Sequence, residues 1–265
     1  MTRHGVCLLL APVLALSMTD DPLLFPKDSY VEETRTVRTS SGEKTVSVRA
    51  YKHIPYVAKP VDKDYQSLDV MVPVRVDGRP VDATRAPILM GIGVGGYMSV
   101  RNAGGGAAGG RMGAPRAGRM GAPPTGRGSA GPGGAGSISR NTDLALAAGY
   151  VVVSPGCRGR DNRAADGTYF GKAPAAIVDL KAAVRYIRHN AGVMPGNANW
   201  IVTTGVSAGG ALSALLGASG NSRLYDVYLE EIGAADADDA VFASADFCPI
   251  MDLDHADMAY EWMYG

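Results

Sequence analysis

Short, unbroken apolar runs alternate along this chain with segments of helical periodicity. Four such runs predict strands buried on both faces of a sheet, because polar residues do not interrupt them. They occupy residues 86–96, 148–160, 200–205 and 240–250. Two earlier segments, 44–57 and 67–76, are rich in β-branched and aromatic residues and predict hairpin-like strands. We expect this pair to form the antiparallel edge of the same sheet.

The clearest helical pattern covers residues 172–190. Its apolar residues share one helical face and are Ile177, Leu180, Val184 and Ile187. The basic residues off that stripe are Lys181, Arg185 and Arg188. Further helices are predicted over residues 141–149, from Ser207 onward, and over 225–234. Strands that alternate with helices in this way predict an α/β fold, with a mostly parallel sheet covered by helices on both faces.

The composition limits the classes of partner. The chain has 265 residues, enough for one large α/β domain, and 46% of them are hydrophobic. Lysine plus arginine and aspartate plus glutamate both number 26, so the formal net charge is zero. Since no global field would attract nucleic acid or an anionic membrane, we expect neither as a partner.

The N-terminus has the pattern of an export signal. Arg3 precedes an apolar run over residues 6–16, which has the length of a signal-peptide core and is too short to span a bilayer. We therefore expect residues 1–18 to be a signal peptide and the protein to be extracytoplasmic, either secreted or periplasmic. A disordered N-terminus is the alternative. The α/β domain is expected over residues 28–265.

Residues 102–139 do not fit the α/β pattern. They are rich in Gly, Ala, Pro and Arg, and they have almost nothing to bury, so ordering them would cost backbone entropy without return. The sequence predicts a flexible insertion that interrupts the domain. Its arginines are typical of nucleic-acid-binding segments, but the aromatic residues that stack on bases are missing.

The segment Gly205-Val206-Ser207-Ala208-Gly209 matches the G-x-S-x-G pattern of a nucleophile elbow. A sharp turn between a buried strand and a helix of small residues would expose Ser207 as a catalytic nucleophile. The Ala208 N–H at the start of the helix would then stabilise an oxyanion. The alternative is a glycine-rich turn without catalytic function.

A second glycine-rich segment, residues 91–96, satisfies G-x-G-x-x-G, the dinucleotide-binding pattern. That function requires a helix to begin there, whereas Tyr97 and the low-complexity segment follow. We instead expect this loop to supply the second oxyanion-hole N–H, from Gly96 or alternatively Gly95.

Two arginines, Arg158 and Arg160, follow a predicted strand at its C-terminal end, which is the functional edge of an open α/β sheet. They are candidates for a loop that contacts an acidic or phenolic substrate. Arginines in this position more often brace a loop through carboxylates, and we favour that interpretation.

Cysteines and histidines leave the rest of the site open. Cys157 and Cys248 are either a disulfide pair or buried free thiols, and with no metal-ligand motif we expect neither a metal nor an organic cofactor. An α/β-hydrolase triad runs Ser, Asp or Glu, His, and only His255 follows Ser207. Because Asp252 and Asp254 lie too close to His255 to orient it well, we expect His255 to be structural. The triad Asp and His would then lie beyond residue 265, which would make this an incomplete hydrolase.

Four segments together resemble the bacterial (subtype B) tannases and related feruloyl-esterase-like α/β-hydrolases: residues 86–97, 149–160, 173–222 (which contain the elbow) and 248–262. The resemblance covers residues 45–98 and 141–264. It implies an esterase that cleaves galloyl or similar phenolic esters, small-molecule substrates, through an acyl-enzyme. Carried over, Ser207 is the nucleophile and the Ala208 and Gly96 amides form the oxyanion hole. The insertion and the absent C-terminal part, which in the family holds the lid, the triad Asp and His and galloyl-binding residues, depart from the family pattern.

Overall fold

The predicted apolar runs form neighbouring strands of one sheet. The structure is a computed structural model, and it describes residues 21–102 and 134–252, apart from the side chains of residues 134–140. The strands are β1 (Val31–Thr39), β2 (Gly42–Pro55), β3 (Ser67–Val76), β4 (Arg79–Pro80), β5 (Ile88–Ile92), β6 (Val151–Pro155), β7 (Ile201–Val206) and β8 (Ala243–Phe247). The helices are α1 (Gly134–Ala147), α2 (Ala175–His189), α3 (Ala208–Ala218), α4 (Asp226–Glu231) and a 3-10 turn (Arg223–Tyr225).

The sheet is mixed in the way that the sequence predicts. Its strand order is β1-β2-β3-β6-β5-β7-β8, and the short β4 pairs with β3. Strands β6, β5, β7 and β8 are mutually parallel. Strands β1, β2 and β3 pair in antiparallel fashion, and β3 joins the parallel strands antiparallel to β6. The predicted α/β fold with an antiparallel edge is confirmed.

Strand β6 shows why helices cover both faces. Val151 and Val153 belong to the main core cluster, which includes the apolar residues of α2 and α3. Val152 points to the opposite face and belongs to a second cluster with Leu146 of α1. A strand buried on both faces must be apolar at every position, which is the pattern that predicted it.

Helix α2 is buried more completely than its apolar stripe predicts. Lys181, which lies off that stripe, is fully buried. Its ammonium donates hydrogen bonds to the Ser219 carbonyl at 2.6 Å and to Asp239 Oδ1 at 2.8 Å. Arg185 donates to Asp239 Oδ2 at 2.9 Å. A buried lysine is tolerated here because a carboxylate and a carbonyl replace its water.

Three elements differ from the prediction. Helix α1 begins at Gly134, seven residues before the predicted 141, so the predicted insertion 102–139 overlaps its first turns. Strand β8 is largely exposed, although its apolar run predicted burial on both faces. Strand β1 was not predicted, because only Val37 among its residues is buried.

Residues before 28 also pack into the core. Phe25 is buried against Tyr51, and its N–H donates to Asn190 Oδ1 at 2.7 Å. The predicted signal peptide, residues 1–18, and most of the predicted insertion lie outside the described residues. Among the helices that are described, none combines the length and the apolar character needed to cross a membrane.

Candidate active site

Ser207 lies at the sharp bend between β7 and α3. Its φ and ψ angles are 59° and −122°, and its side chain is exposed. Such a φ angle is uncommon for a residue with a Cβ atom. Hydrogen bonds hold the bend on both sides: the Ser207 N–H donates to the Phe247 carbonyl at 3.0 Å, and the Ser207 carbonyl accepts from the Ala211 N–H at 2.9 Å. The hydroxyl is therefore presented to solvent from a rigid backbone.

The glycines around Ser207 let three backbone segments meet. A Cβ atom on Gly205 would lie 2.1 Å from the Gly209 carbonyl oxygen, and one on Gly209 would lie 2.7 Å from that of Ile92. A Cβ atom on Gly210 would lie 2.7 Å from the Phe247 carbonyl oxygen. Because these neighbours are backbone atoms, no side chain fits at these positions.

The Ala208 amide is the first candidate for the oxyanion hole. Ala208 is fully buried and is the first residue of α3. The first N–H groups of an α-helix have no partner within the helix, and the helix dipole adds partial positive charge there. An oxyanion formed at Ser207 would meet this donor.

The loop after β5 brings the second candidate to the same edge of the sheet. β5 pairs with β7 in parallel, with Ile92 opposite Gly205, so the loop after β5 adjoins Ser207. Gly95 to Met98 form a tight turn in which the Met98 N–H donates to the Gly95 carbonyl at 3.0 Å. Both central residues, Gly96 and Tyr97, have positive φ angles, of 56° and 57°. Gly96 is exposed, and no helix begins at this loop, unlike in a dinucleotide-binding turn.

Tyr97 has an unfavourable backbone conformation and a buried phenolic oxygen. It adopts a left-handed φ angle although it is not glycine, and its phenolic oxygen is buried without a hydrogen-bond partner among the described residues. Burial raises the pKa of this phenol. Strain of this kind persists only where the surrounding structure fixes the backbone, and it concentrates at functional sites.

Arg158 braces a loop, which is the interpretation that the sequence favoured. Its guanidinium is buried and donates to Asp179 of α2, with Nη2 at 2.8 Å from Oδ1 and Nε at 3.0 Å from Oδ2. The Arg158 N–H also donates to Asp179, at 2.8 Å, and Gln66 donates to the same carboxylate at 2.9 Å. Burial raises the pKa of Asp179, while the Arg158 guanidinium opposes the shift. Arg160, in contrast, is exposed, and its backbone N–H donates to the Tyr97 carbonyl at 2.9 Å.

The two histidines among the described residues have other partners. His53 contacts the Asn102 carbonyl through Nδ1, and His189 contacts Asp21 through Nε2 at 2.7 Å. His255 and Asp254 lie outside the described residues, and Asp252 is exposed.

Cys157 and Cys248 are both free thiols, the first buried and the second exposed. Burial raises the pKa of the Cys157 thiol, which makes it a poor nucleophile. No group of acidic, histidine or cysteine side chains suited to hold a metal ion occurs in the described ranges.

Sequence reasoning missed the residues that support the candidate oxyanion loop. Asp161 and Ser99 lie 62 positions apart in the chain and are joined by two hydrogen bonds. Asp179 was likewise not singled out from the helical pattern over residues 172–190. The sequence does show a run of polar residues after β6, within residues 158–163. That run does not reveal which residues Asp161 and Arg158 contact.

Comparison with known proteins gives consistent matches. A sequence model of the family described as BD-FAE matches residues 134–262. The crystal structure of Fusobacterium nucleatum tannase is 42% identical with a TM-score of 0.70, covering 92% of this chain and 46% of that one. Tannin acyl hydrolase from Lactobacillus plantarum is 41% identical with a TM-score of 0.67, covering 91% of this chain and 47% of that one. Esterase LipQ of Mycobacterium tuberculosis is 39% identical over 90 residues, which are 34% of this chain and 20% of LipQ.

The chain thus spans a little under half the length of the tannases that it matches. The region matched by the family model, residues 134–262, includes the elbow at Ser207. By sequence and structure the chain is related to the bacterial tannases, and it has their α/β-hydrolase fold.

Proposed function

We propose that this chain is the nucleophile-bearing part of a serine esterase that hydrolyses phenolic carboxylic esters of the galloyl or feruloyl type. Ser207 attacks the ester carbonyl, a histidine takes the serine proton and then gives it to the ester oxygen, and the alcohol leaves as the acyl-enzyme forms. Water then hydrolyses the acyl-enzyme and regenerates Ser207. The Ala208 and Gly96 amides stabilise the oxyanion in both steps.

The backbone at Ser207 is the observation that carries the proposal. An exposed serine with a φ angle of 59°, held between two hydrogen bonds at the start of a helix, is costly for a structural turn. It is the geometry that a nucleophile elbow requires. The phenolic substrate class rests on relatives: one matched tannin acyl hydrolase, 41% identical, is in complex with ethyl gallate. Arg160, which is exposed beside the oxyanion loop, is the side chain that we propose for contact with a phenolic or acidic group of the substrate.

The proton acceptor and the acid that orients it are proposed to lie outside residues 21–252. Neither described histidine is suitably placed, and the matched tannases are about twice as long as this chain. The predicted leader at residues 1–18 supports an extracytoplasmic location.

The rival function is a non-catalytic or truncated module that keeps the fold without a complete triad. A fluorophosphonate probe separates the two, because it phosphonylates only a serine activated by a base. We expect the full-length protein to be labelled at Ser207, and Ser207→Ala to abolish the label. The matched control is Ser41→Ala, which alters an exposed serine in the β1–β2 turn and should leave labelling intact. An unlabelled full-length protein, or a label that persists in Ser207→Ala, would exclude the proposed esterase.

A further inference from the structure

Two loops pack together at the edge of the sheet that carries Ser207. The first, residues 95–100, is called here the oxyanion loop, and the second, residues 156–162, the bracing loop. Their backbones pair directly, since Val100 and Cys157 exchange two hydrogen bonds of 2.9 and 3.0 Å. The approach is so close that a Cβ atom on Gly159 would lie 2.1 Å from the Ser99 nitrogen.

Asp161 fastens the oxyanion loop to the bracing loop. Its Oδ1 accepts the Ser99 N–H at 2.6 Å, and its Oδ2 accepts the Ser99 hydroxyl at 2.8 Å. One residue earlier, the Arg160 N–H donates to the Tyr97 carbonyl. These three hydrogen bonds fall on the residues that directly follow Gly96. Hydrogen bonds to an ionised carboxylate are short and about twice as strong as neutral ones.

The bracing loop is itself held by buried groups. Arg158 is fixed to Asp179 of α2 by both its guanidinium and its backbone N–H. The side chain of the buried Asn162 accepts the Gly159 N–H at 2.8 Å. The oxyanion loop therefore rests on a support that is anchored in helix α2.

We propose that Asp161 is a positioning residue, which holds the Gly96 amide in the orientation that the oxyanion requires. The inference rests on the proposed function, because it assigns a task within that same site. The left-handed φ angle at Tyr97 is unfavourable for a residue with a Cβ atom, so the turn would change conformation if its contacts were removed. Among the described residues, Asp161 is the only side chain that forms a hydrogen bond with Ser99. Without the Asp161 carboxylate, the oxyanion loop keeps its backbone contacts at Tyr97 and Val100 but loses both hydrogen bonds at Ser99, and the Gly96 N–H loses its alignment.

The test compares Asp161→Ala and Asp161→Asn with the unaltered full-length protein on a phenolic ester. Removal of a whole oxyanion donor lowers kcat by about 100- to 1,000-fold. Misalignment of one donor should lower kcat by about 10- to 100-fold in Asp161→Ala, while KM stays within about twofold. Asp161→Asn keeps one oxygen that accepts the Ser99 N–H, so most of kcat should be retained. The inhibition constant of an aryl boronic acid, which mimics the tetrahedral intermediate, should rise with the fall in kcat.

Asp82→Ala is the matched control. The Asp82 carboxylate likewise accepts the N–H and the hydroxyl of one nearby residue, Thr84, at 3.0 and 2.6 Å, but before β5 instead of after it. Its thermal midpoint should shift about as much as that of Asp161→Ala, with kcat unchanged. If the unaltered protein hydrolyses no phenolic ester, the proposed function fails. If it does so and Asp161→Ala keeps its kcat and its boronic-acid affinity, only the role of Asp161 is overturned.

Discussion

The left-handed backbone of Ser207 persists because the chain around it has no room to relax. The Gly205 and Gly209 backbones are in contact, and Gly209 in turn lies against the carbonyl groups of Ile92 and Val94. These contacts join β7, α3 and the end of β5 into one unit. The strain at one residue is thus maintained by the packing of three elements.

Gly205→Ala tests this packing. The added Cβ atom would lie 2.1 Å from a backbone oxygen, so the elbow must shift to accept it. Overpacking of this kind costs about 1–3 kcal/mol of unfolding free energy, and displacement of Ser207 should also slow fluorophosphonate labelling. Gly93→Ala is the control, since its Cβ atom would meet only Val100 Cγ1, at 3.9 Å. Equal stability of the two variants in urea unfolding would contradict the packing argument.

At the scale of elements, helix α2 forms two buried ion pairs, one of which reaches the bracing loop beside Ser207. Asp179 fixes Arg158 of the bracing loop near one end of the helix, and Lys181 pairs with Asp239 in the connection before β8. The pKa values of the two carboxylates shift in opposite directions, and burial raises that of Asp179. Burial raises the pKa of Asp239, but hydrogen bonds from Lys181, the Asn221 N–H and Arg185 outweigh it, so the pKa is lowered below its ordinary value of 3.8.

The lowered pKa of Asp239 predicts a pH dependence of stability. A carboxyl whose pKa is lowered by folding stabilises the protein above its unfolded pKa, and the contribution is lost as the pH falls through the folded value. Unfolding free energy should therefore decline below about pH 4, and Asp239→Asn should remove that part of the decline. At pH 7 the same variant should lose about 3–5 kcal/mol, because Lys181 stays buried without a counter-charge. Asp236→Asn removes an exposed carboxylate three residues earlier. Its free energy of unfolding in urea should match that of the unaltered protein at pH 7 and below about pH 4.

The sequence identified the elements whose burial is set locally, and it missed those defined by distant partners. Continuous apolar runs marked β5, β6 and β7, and the small residues after Ser207 marked the start of α3. Strand β1 is paired at one side and solvated on much of its surface, so its polar sequence carries no strong period. The Asp161–Ser99 contact forms because two loops that are distant in sequence meet in the fold. No spacing in the sequence predicts that contact. The sharp turn at Ser207 was therefore predictable from the sequence, and the contacts that support the loop after β5 were not.

At the scale of the whole molecule, strand order decides which groups can reach Ser207. In the order β2-β3-β6-β5-β7, His53 of β2 lies four strands away from the strand that ends at Ser207. At about 4.8 Å between strands, this is a lateral separation of about 19 Å. His189 lies at the C-terminal end of α2, which runs back to the edge of the sheet where β7 begins. Strand β7 then rises about 17 Å before Ser207.

Replacement of either histidine should therefore leave the reactivity of Ser207 intact. We expect His53→Gln and His189→Gln, each in the full-length protein, to react with fluorophosphonate at Ser207 within about twofold of the unaltered rate. A true general base, when removed, lowers serine reactivity by orders of magnitude. His189→Gln should still lower the thermal midpoint slightly, because the variant loses the contact with Asp21. This shift would show that the substitution changes the local structure without changing the reactivity of Ser207. Loss of labelling in a folded variant of either histidine would place the base within residues 21–252 and refute its assignment outside that range.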